Sequence, residues 1–160
     1  MMPLQRHTAL IPFSREHHNG LMLVLKIKKG KQFGVAPARL APYILDVFEK
    51  ELDPHFITEE EGIFLWLEPD HALRQRAFQE HAEIRALIQQ IKVDPQNFSL
   101  QEAFIHQLEA HIRFEERILF PHLQEHFPNS LEALALHTPA SPSCHNDAYW
   151  PDHFWLPAKT

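Results

Sequence analysis

One spacing, a histidine followed four residues later by a glutamate, constrains this chain more than any other feature. It occurs twice, as His55–Glu59 and as His111–Glu115. Residues four apart lie one turn apart on the same face of a helix, so each pair can grip a metal ion at two points. Two such pairs, joined by single histidines from two other helices, predict a two-metal site inside a helical bundle.

The composition fits one all-α domain. The chain has 160 residues, enough for a substantial core, and only 4 glycines. The net charge is −6 and the basic residues are scattered, which argues against nucleic acid as a partner. The single cysteine, Cys144, excludes an internal disulfide and is compatible with a reducing cytosol.

Membrane and export signals are not recognisable in the sequence. No apolar run approaches the roughly 18 residues that span a bilayer. The N-terminal residues lack the apolar core of a signal peptide. We therefore expect a cytoplasmic protein with no membrane partner.

The periodicity of apolar residues predicts an up-down four-helix bundle with a short extra C-terminal helix. The expected helices cover about residues 15–31, 37–67, 71–92, 100–127 and 130–137. Residues 1–13 are expected to be extended, with Ser14 as the first N-terminal cap. The bundle domain is predicted to cover residues 1–137. Residues 138–160 are predicted to form an irregular tail, rich in proline and aromatic residues, that packs onto the bundle.

Two further helix starts are predicted from capping residues. Asp70, after the turn at Pro69, is the expected cap of the third helix. Ser99 and Glu102 have the spacing of a capping box that opens the fourth.

The candidate ligands fall on the apolar stripes and at one level of the bundle. His55 and Glu59 lie about ten residues before the turn at Pro69, and His81 lies about eleven after it. His81 and His111 are about fifteen residues on either side of the next loop. With a rise of about 1.5 Å per residue, these groups converge to within roughly one helical turn.

Buried carboxylates and imidazoles without partners destabilise a core, and a metal ion removes that problem because the anions become ligands. The alternative interpretation is that the glutamates are solvated and the histidines fill the core. Two pairs in register, with further core histidines on other helices, favour a metal. Carboxylates that bridge two ions suit iron or manganese better than a closed structural zinc site, and zinc stays an alternative.

The first helix offers two adjacent candidates, His17 and His18, of which one can point fully inward. The predicted stripe of Leu21, Val24 and Leu25 does not separate them, and we favour His18 slightly. His122 is expected in the core or beside the ligands, and His126 as a C-terminal cap. The remaining charged residues near the pairs are expected to form a solvated face, with two of them as spare carboxylates at the rim. The face comprises Glu60, Glu61, Glu116 and Arg117, and the spare carboxylates are Glu61 or Glu116.

The ligand pattern resembles that of the hemerythrin-like, HHE cation-binding domain, over about residues 7–128. The segments FSREHHNGL, at the first helix, and EERILFP, after the last histidine, contribute to the likeness. The resemblance implies a four-helix bundle around two non-haem iron ions, bridged by two carboxylates and an oxo or hydroxo group. By position, it implies the ligands His55, Glu59, His81, His111 and Glu115, with the two glutamates as bridges.

Two departures from oxygen-carrying hemerythrins affect the expected function. Those proteins have two histidines one turn apart on the third helix, whereas Ala77 and Arg85 flank His81 here. Their carboxylate on the fourth helix follows its histidine by five residues instead of four. A smaller imidazole set leaves coordination positions open, which favours sensing, iron handling or redox chemistry over oxygen transport.

The sequence thus predicts a di-iron protein that binds O2 or a related small ligand, or that senses or handles iron or redox state. Two alternatives stay open: a di-metal oxidase or peroxidase, and a metal-free protein-interaction module. A role without catalysis is favoured over an enzyme. The sequence determines neither a protein partner nor the oligomeric state.

Overall fold

The computed structural model describes residues 5–137 and 149–158, and within these ranges the regular structure is helical, as predicted. Four long rods form the bundle. They are α1 (Ile11–Gln32), α2 (Pro37–Val47) continued by α3 (Asp53–Glu61), α4 (Ala72–Val93), and α5 (Phe98–Phe114) continued by α6 (Phe120–His126). The fifth helix, α7 (Pro128–His137), follows α6. In the described ranges, every helix is too short or too polar to be a transmembrane segment.

The first helix begins earlier than predicted. Residues Thr8–Leu10 form a 3-10 turn, and α1 starts at Ile11, so the expected extended segment is wrong from residue 8 onward. Pro12 fits the first helical turn, because its missing N–H would have no partner there in any case. Ser14 therefore lies inside α1 and is not its cap.

The other two predicted caps are also wrong by one or two residues. At α4 the ring of His71 accepts the backbone N–H of Leu73, and Asp70 does not cap the helix. At α5 the side chain of Asn97 accepts the backbone N–H of Leu100, in place of the Ser99–Glu102 box. Both caps were predicted from residue type alone, and a neighbouring polar side chain can accept the same kind of backbone N–H.

The second and fourth rods each contain a π-helical turn just before a proline. Phe48–Leu52 precedes Pro54, and Glu115–Leu119 precedes Pro121. A proline inside a helix has no N–H to bond the carbonyl four residues back, and its ring crowds that carbonyl. The wider π turn accommodates both effects, so each rod continues through its proline and keeps its candidate ligands facing inward.

A layer of polar side chains divides the apolar interior into two clusters. One cluster includes Ile84 and Leu108, and the other includes Ala77 and Leu119. On α4, His81 lies between Ala77 of one cluster and Ile84 of the other. The layer is therefore enclosed by apolar packing on both sides along the bundle axis.

The described part of the tail packs onto the bundle. The rings of Trp150, Phe154 and Trp155 each lie 5.3 Å from the ring of Tyr43, centroid to centroid. Phe154 is almost fully buried and belongs to the larger cluster. Residues 138–148, with Cys144, lie outside the described residues, so the proposed domain boundary at residue 137 stays a prediction.

Gly30 makes room for the tail. A Cβ at this position would lie 2.7 Å from Cδ2 of Leu40 and 2.9 Å from Cδ2 of Phe154. Replacing Gly30 by valine should lower the free energy of unfolding by about 1–3 kcal/mol, because overpacking displaces both side chains. Urea unfolding followed by tryptophan fluorescence measures this loss.

The matched control is Lys29→Val, since Lys29 is the exposed neighbour on the same helix. It should cost only the difference in helix propensity, at most about 0.7 kcal/mol. Equal stability of the two variants would contradict the packing argument.

Candidate metal centre

Six side chains from all four rods meet in the polar layer, and each is almost fully buried. They are His17 from α1, His55 and Glu59 from α3, His81 from α4, His111 from α5, and Glu115 at the start of the following π turn. The two His–Glu pairs therefore lie face to face in the interior. The predicted convergence at one level agrees with this placement.

The six side chains form two overlapping groups of potential metal ligands. His17 and His55 belong to the first group, and His81 and His111 to the second. Both groups share Glu59 and Glu115, and within each group the donor atoms lie within 4.8 Å of one another. Each group thus offers two imidazoles and two carboxylates, and the carboxylates are common to both.

The distances between donor atoms match those of ligands on one ion. The Nε2 atoms of His81 and His111 are 3.0 Å apart. Nε2 of His55 lies 2.8 Å from Oε1 of Glu59, and Nε2 of His111 lies 2.9 Å from Oε1 of Glu115. Two ligands bonded at about 2.1 Å and at right angles to each other on one ion are separated by about 3.0 Å.

Several of these atoms lack a hydrogen-bond partner among the described residues. Both carboxylate oxygens of Glu59 and of Glu115 are buried without one, as is Nε2 of His17 and of His55. A buried polar atom left unsatisfied costs about 1–3 kcal/mol, and more when it is charged. The nitrogen and oxygen atoms that face one another so closely therefore fit a cation between them.

The other nitrogen of every histidine in the layer faces a second carboxylate. The Nδ1 distances are 2.7 Å for His17–Glu116, 2.5 Å for His55–Glu16, 2.8 Å for His81–Glu60 and 2.9 Å for His111–Glu80. We call these four glutamates the outer carboxylates. A histidine that donates Nδ1–H to a carboxylate presents a lone pair at Nε2, which is the arrangement usual for metal ligands.

The outer carboxylates link the rods in a closed circuit. Glu16 of the first rod bonds a histidine of the second, and Glu60 of the second bonds one of the third. Glu80 of the third bonds one of the fourth, and Glu116 of the fourth bonds one of the first. The orientation of each ligand histidine therefore depends on the rod before it.

Arginines hold three of the outer carboxylates. Arg6 lies 2.8 Å from Glu116, and Arg85 lies 2.7 Å from Glu60. Arg76 lies 2.8 Å from Glu80. In the described part of the chain, Glu16 has no such cation. The circuit is therefore charge-compensated at three of its four positions.

The carboxylates in and around the layer create a strong negative potential at its histidines, as the pKa values of these histidines show. Burial lowers the pKa of His111, but the negative charge of Glu115 and the hydrogen bond to Glu80 outweigh burial and raise it to about 10. Burial likewise opposes protonation of His55, and the charge of Glu59 with the bond to Glu16 raises its pKa to about 9. The carboxylates thus attract positive charge strongly enough to overcome burial.

Aromatic rings form the walls of the centre. Phe56 stacks on His81 with 3.8 Å between ring centroids and 11° between planes. Phe120 stacks on His17 at 5.4 Å and 12°. These contacts limit rotation of the imidazoles and exclude water from the layer.

Of the two candidates on the first helix, the structure places His17 in the layer and His18 at the surface. The slight preference for His18 therefore selected the outward-facing side chain. The predicted stripe gave no basis for the choice and was itself wrong in part, because Leu21 and Leu25 are 38% and 43% exposed. The buried face of α1 instead runs through Leu23 and Ile27, and His17 lies on that face.

The predicted solvated face is also wrong in part. Glu60 and Glu116 are outer carboxylates, and Glu61 is exposed. The role of Glu16 and Glu80 was missed altogether. Each outer carboxylate is the immediate sequence neighbour of a side chain in the layer, and that adjacency is the signal from which it could have been found.

His122 lies apart from the layer. It is half-buried, and its ring contacts those of His71 and His126. Burial and the nearness of His126 lower its pKa. His126 is in the last turn of α6, as predicted for a cap, and its Nδ1 donates to the backbone carbonyl of His122.

Comparison with models of known protein families identifies the family of this chain. A model described as the hemerythrin HHE cation-binding domain matches residues 11–123. The chain belongs to the hemerythrin HHE family. The match extends from the start of α1 into α6 and includes all six side chains of the layer. No curated protein and no solved structure matches the chain.

An outer carboxylate should matter to metal affinity although it touches no metal. Replacing Glu80 by alanine is expected to weaken metal binding about 10- to 100-fold, because the ring of His111 loses its orienting acceptor. Equilibrium competition with a chromophoric chelator measures the change. Glu83→Ala, one turn away on the exposed side of α4, is the control and should bind metal as the parent does. A parental affinity for the Glu80 variant would exclude this role.

Proposed function

We propose that this hemerythrin-family protein holds two non-haem iron ions and binds O2 or a related small ligand at them. His17 and His55 would hold one ion, and His81 and His111 the other. Glu59 and Glu115 would bridge the two, together with an oxo or hydroxo group. A cytoplasmic location is part of the proposal, because the single cysteine suits a reducing compartment.

The observation that carries this proposal is the pair of ligand groups sharing two carboxylates. Each ion would receive two imidazole nitrogens and two carboxylate oxygens from the chain. An ion so bound would keep coordination positions that no side chain of the layer fills, and an exogenous ligand could take them. When bound, iron supplies ligand binding and electron transfer at these positions.

The donor chemistry supports iron or manganese over a structural zinc site. Imidazole nitrogen with carboxylate oxygen suits iron and manganese, whereas structural zinc sites are closed, four-coordinate and mostly rich in thiolate. The chain itself contributes orientation through the outer carboxylates and exclusion of water through Phe56 and Phe120. Because these rings enclose the buried layer, only small molecules can reach the centre.

Metal analysis of protein purified anaerobically tests the proposal. We expect two iron ions per chain and, after exposure to air, an ultraviolet-visible band of an oxo-bridged pair. Anomalous scattering at the iron edge should place both ions between the groups that share Glu59 and Glu115. Manganese or zinc in iron-replete material would overturn the assignment of iron, and one ion per chain would overturn the paired centre.

A di-metal oxidase or peroxidase is the second candidate. The two groups offer the same number of side-chain ligands, so coordination positions would stay open on both ions and not on one alone. This symmetry favours an enzyme. Consumption of peroxide by the iron-loaded protein, with turnover beyond one equivalent, would establish this activity. Binding of one small ligand without turnover would favour the carrier or sensor.

A further inference from the structure

Outside the buried centre, three histidines meet at the surface around α6. His122 and His126 are one turn apart on this helix, with ring centroids 4.1 Å apart and planes 22° apart. The ring of His71, at the start of α4, lies 5.1 Å from that of His122. Leu123, between the two histidines of α6, is fully buried and anchors the helix, so their relative position is fixed by the fold.

On α6, the hydrogen bonds of these rings leave nitrogen lone pairs available to bind a metal ion. Nδ1 of His126 donates to the backbone carbonyl of His122, so its Nε2 carries the lone pair and faces outward. Among the described residues, neither ring nitrogen of His122 has a hydrogen-bond partner. Nδ1 of His71 accepts the N–H of Leu73, so that ring serves as a cap and as a wall beside His122.

We propose that His122 and His126 form a second metal site, which binds one borderline divalent cation such as Cu²⁺, Ni²⁺ or Zn²⁺. The two histidines have the i, i+4 spacing by which the histidines of the HExxH motif bind one zinc ion from a helix. The carbonyl acceptor at Nδ1 of His126 is the kind of partner that orients a ligand histidine. The ring of His71 limits rotation of the His122 ring and keeps it on the side of His126.

The donor set distinguishes this site from the buried centre. The surface pair offers imidazole nitrogen alone, which suits Cu²⁺, Ni²⁺ and Zn²⁺ and disfavours Mg²⁺ and Ca²⁺. The layer offers mixed nitrogen and oxygen donors around shared carboxylates. The surface site is also open to solvent on one side, so its cation exchanges freely with chelators. The inference does not rest on the function proposed for the layer.

Cu²⁺ titration of the full chain, with a His122→Gln, His126→Gln double variant as comparison, tests the proposal. The parent should bind one more equivalent than the variant, and its electron paramagnetic resonance spectrum should contain nitrogen couplings that the variant lacks. All six side chains of the layer are present in both proteins, so metal taken up there cancels in the difference. Far-ultraviolet circular dichroism verifies that the variant is folded.

His106→Gln removes another exposed histidine, on α5, and is the matched control. It should keep the extra equivalent and the parental spectrum. The proposal is overturned if the double variant binds as many Cu²⁺ ions as the parent with the same spectrum. It is equally overturned if the control loses the same equivalent.

Discussion

Replacing Glu59 by glutamine should abolish binding of both metal ions, not of one. Glu59 belongs to both ligand groups, and its two oxygens face different histidines: Oε1 lies 2.8 Å from Nε2 of His55, and Oε2 lies 3.3 Å from Nε2 of His81. An amide has the same shape but no charge, and its nitrogen carries no lone pair for a metal. One ion therefore loses its oxygen ligand from this residue, and the other keeps only a neutral amide oxygen in place of a carboxylate oxygen. Iron content after reconstitution and gel filtration measures the loss.

The control for this prediction is Glu61→Gln, two residues further along the chain and exposed to solvent. It removes the same charge from the same end of α3 without touching the layer. It should take up iron as the parent does. Retention of two ions by the Glu59 variant would show that this carboxylate does not bridge.

Removing the metal should lower the melting temperature by about 8–16 °C. A ligand that binds only the native state stabilises it by about 4 kcal/mol at a concentration a thousand times its dissociation constant. For a chain of this size, each kcal/mol corresponds to roughly 2–4 °C. The physical source is the set of buried oxygens and nitrogens that lack hydrogen-bond partners, since their desolvation goes uncompensated without a cation. Calorimetry before and after dialysis against a chelator measures the shift.

The Glu59→Gln variant supplies the control for metal removal, because it has no ion to lose. Its melting temperature should be the same with and without chelator. An unchanged melting temperature of the parent after chelation would favour the metal-free interaction module. A decrease of equal size in both proteins would attribute the effect to the chelator itself.

The bundle and the pairs in its interior were predictable because two independent periodicities agree. The spacing of four put His55 and Glu59 on one helical face, and the distances to the turns put His81 and His111 at the same level. Helical geometry is local and regular, so counting along the sequence is enough to obtain both results. The family match covers the same stretch of the chain.

The side chain facing inward on α1 could not be predicted by the same counting. His17 and His18 differ by about 100° around the helix, and the apolar residues of α1 are spread widely enough to support either stripe. Gly20, which like His17 is buried on α1, lies against the fourth rod, where a Cβ would be 2.9 Å from Cδ1 of Ile112. That contact joins α1 to the fourth rod and depends on packing between distant parts of the chain.

Adjacency to the layer marks the outer carboxylates as candidates, but the histidine that each one bonds could not be predicted from the sequence, for a related reason. Glu16 lies within α1 and Glu80 within α4, and each bonds a histidine on the next rod instead of its own. A charged residue beside a buried ligand is usually solvated, so residue type alone predicts an exposed face. Only the handedness of the assembled bundle decides which histidine each carboxylate meets.

The closed circuit of outer carboxylates has a mechanical consequence. Two neighbouring rods cannot separate without pulling on an imidazole of the centre, because every neighbouring pair is joined through one. Conversely, a rotation of any one imidazole is transmitted to the backbone of the preceding rod, and from there to the next imidazole. Metal ions held in this centre would therefore be linked through these hydrogen bonds to all four rods at once.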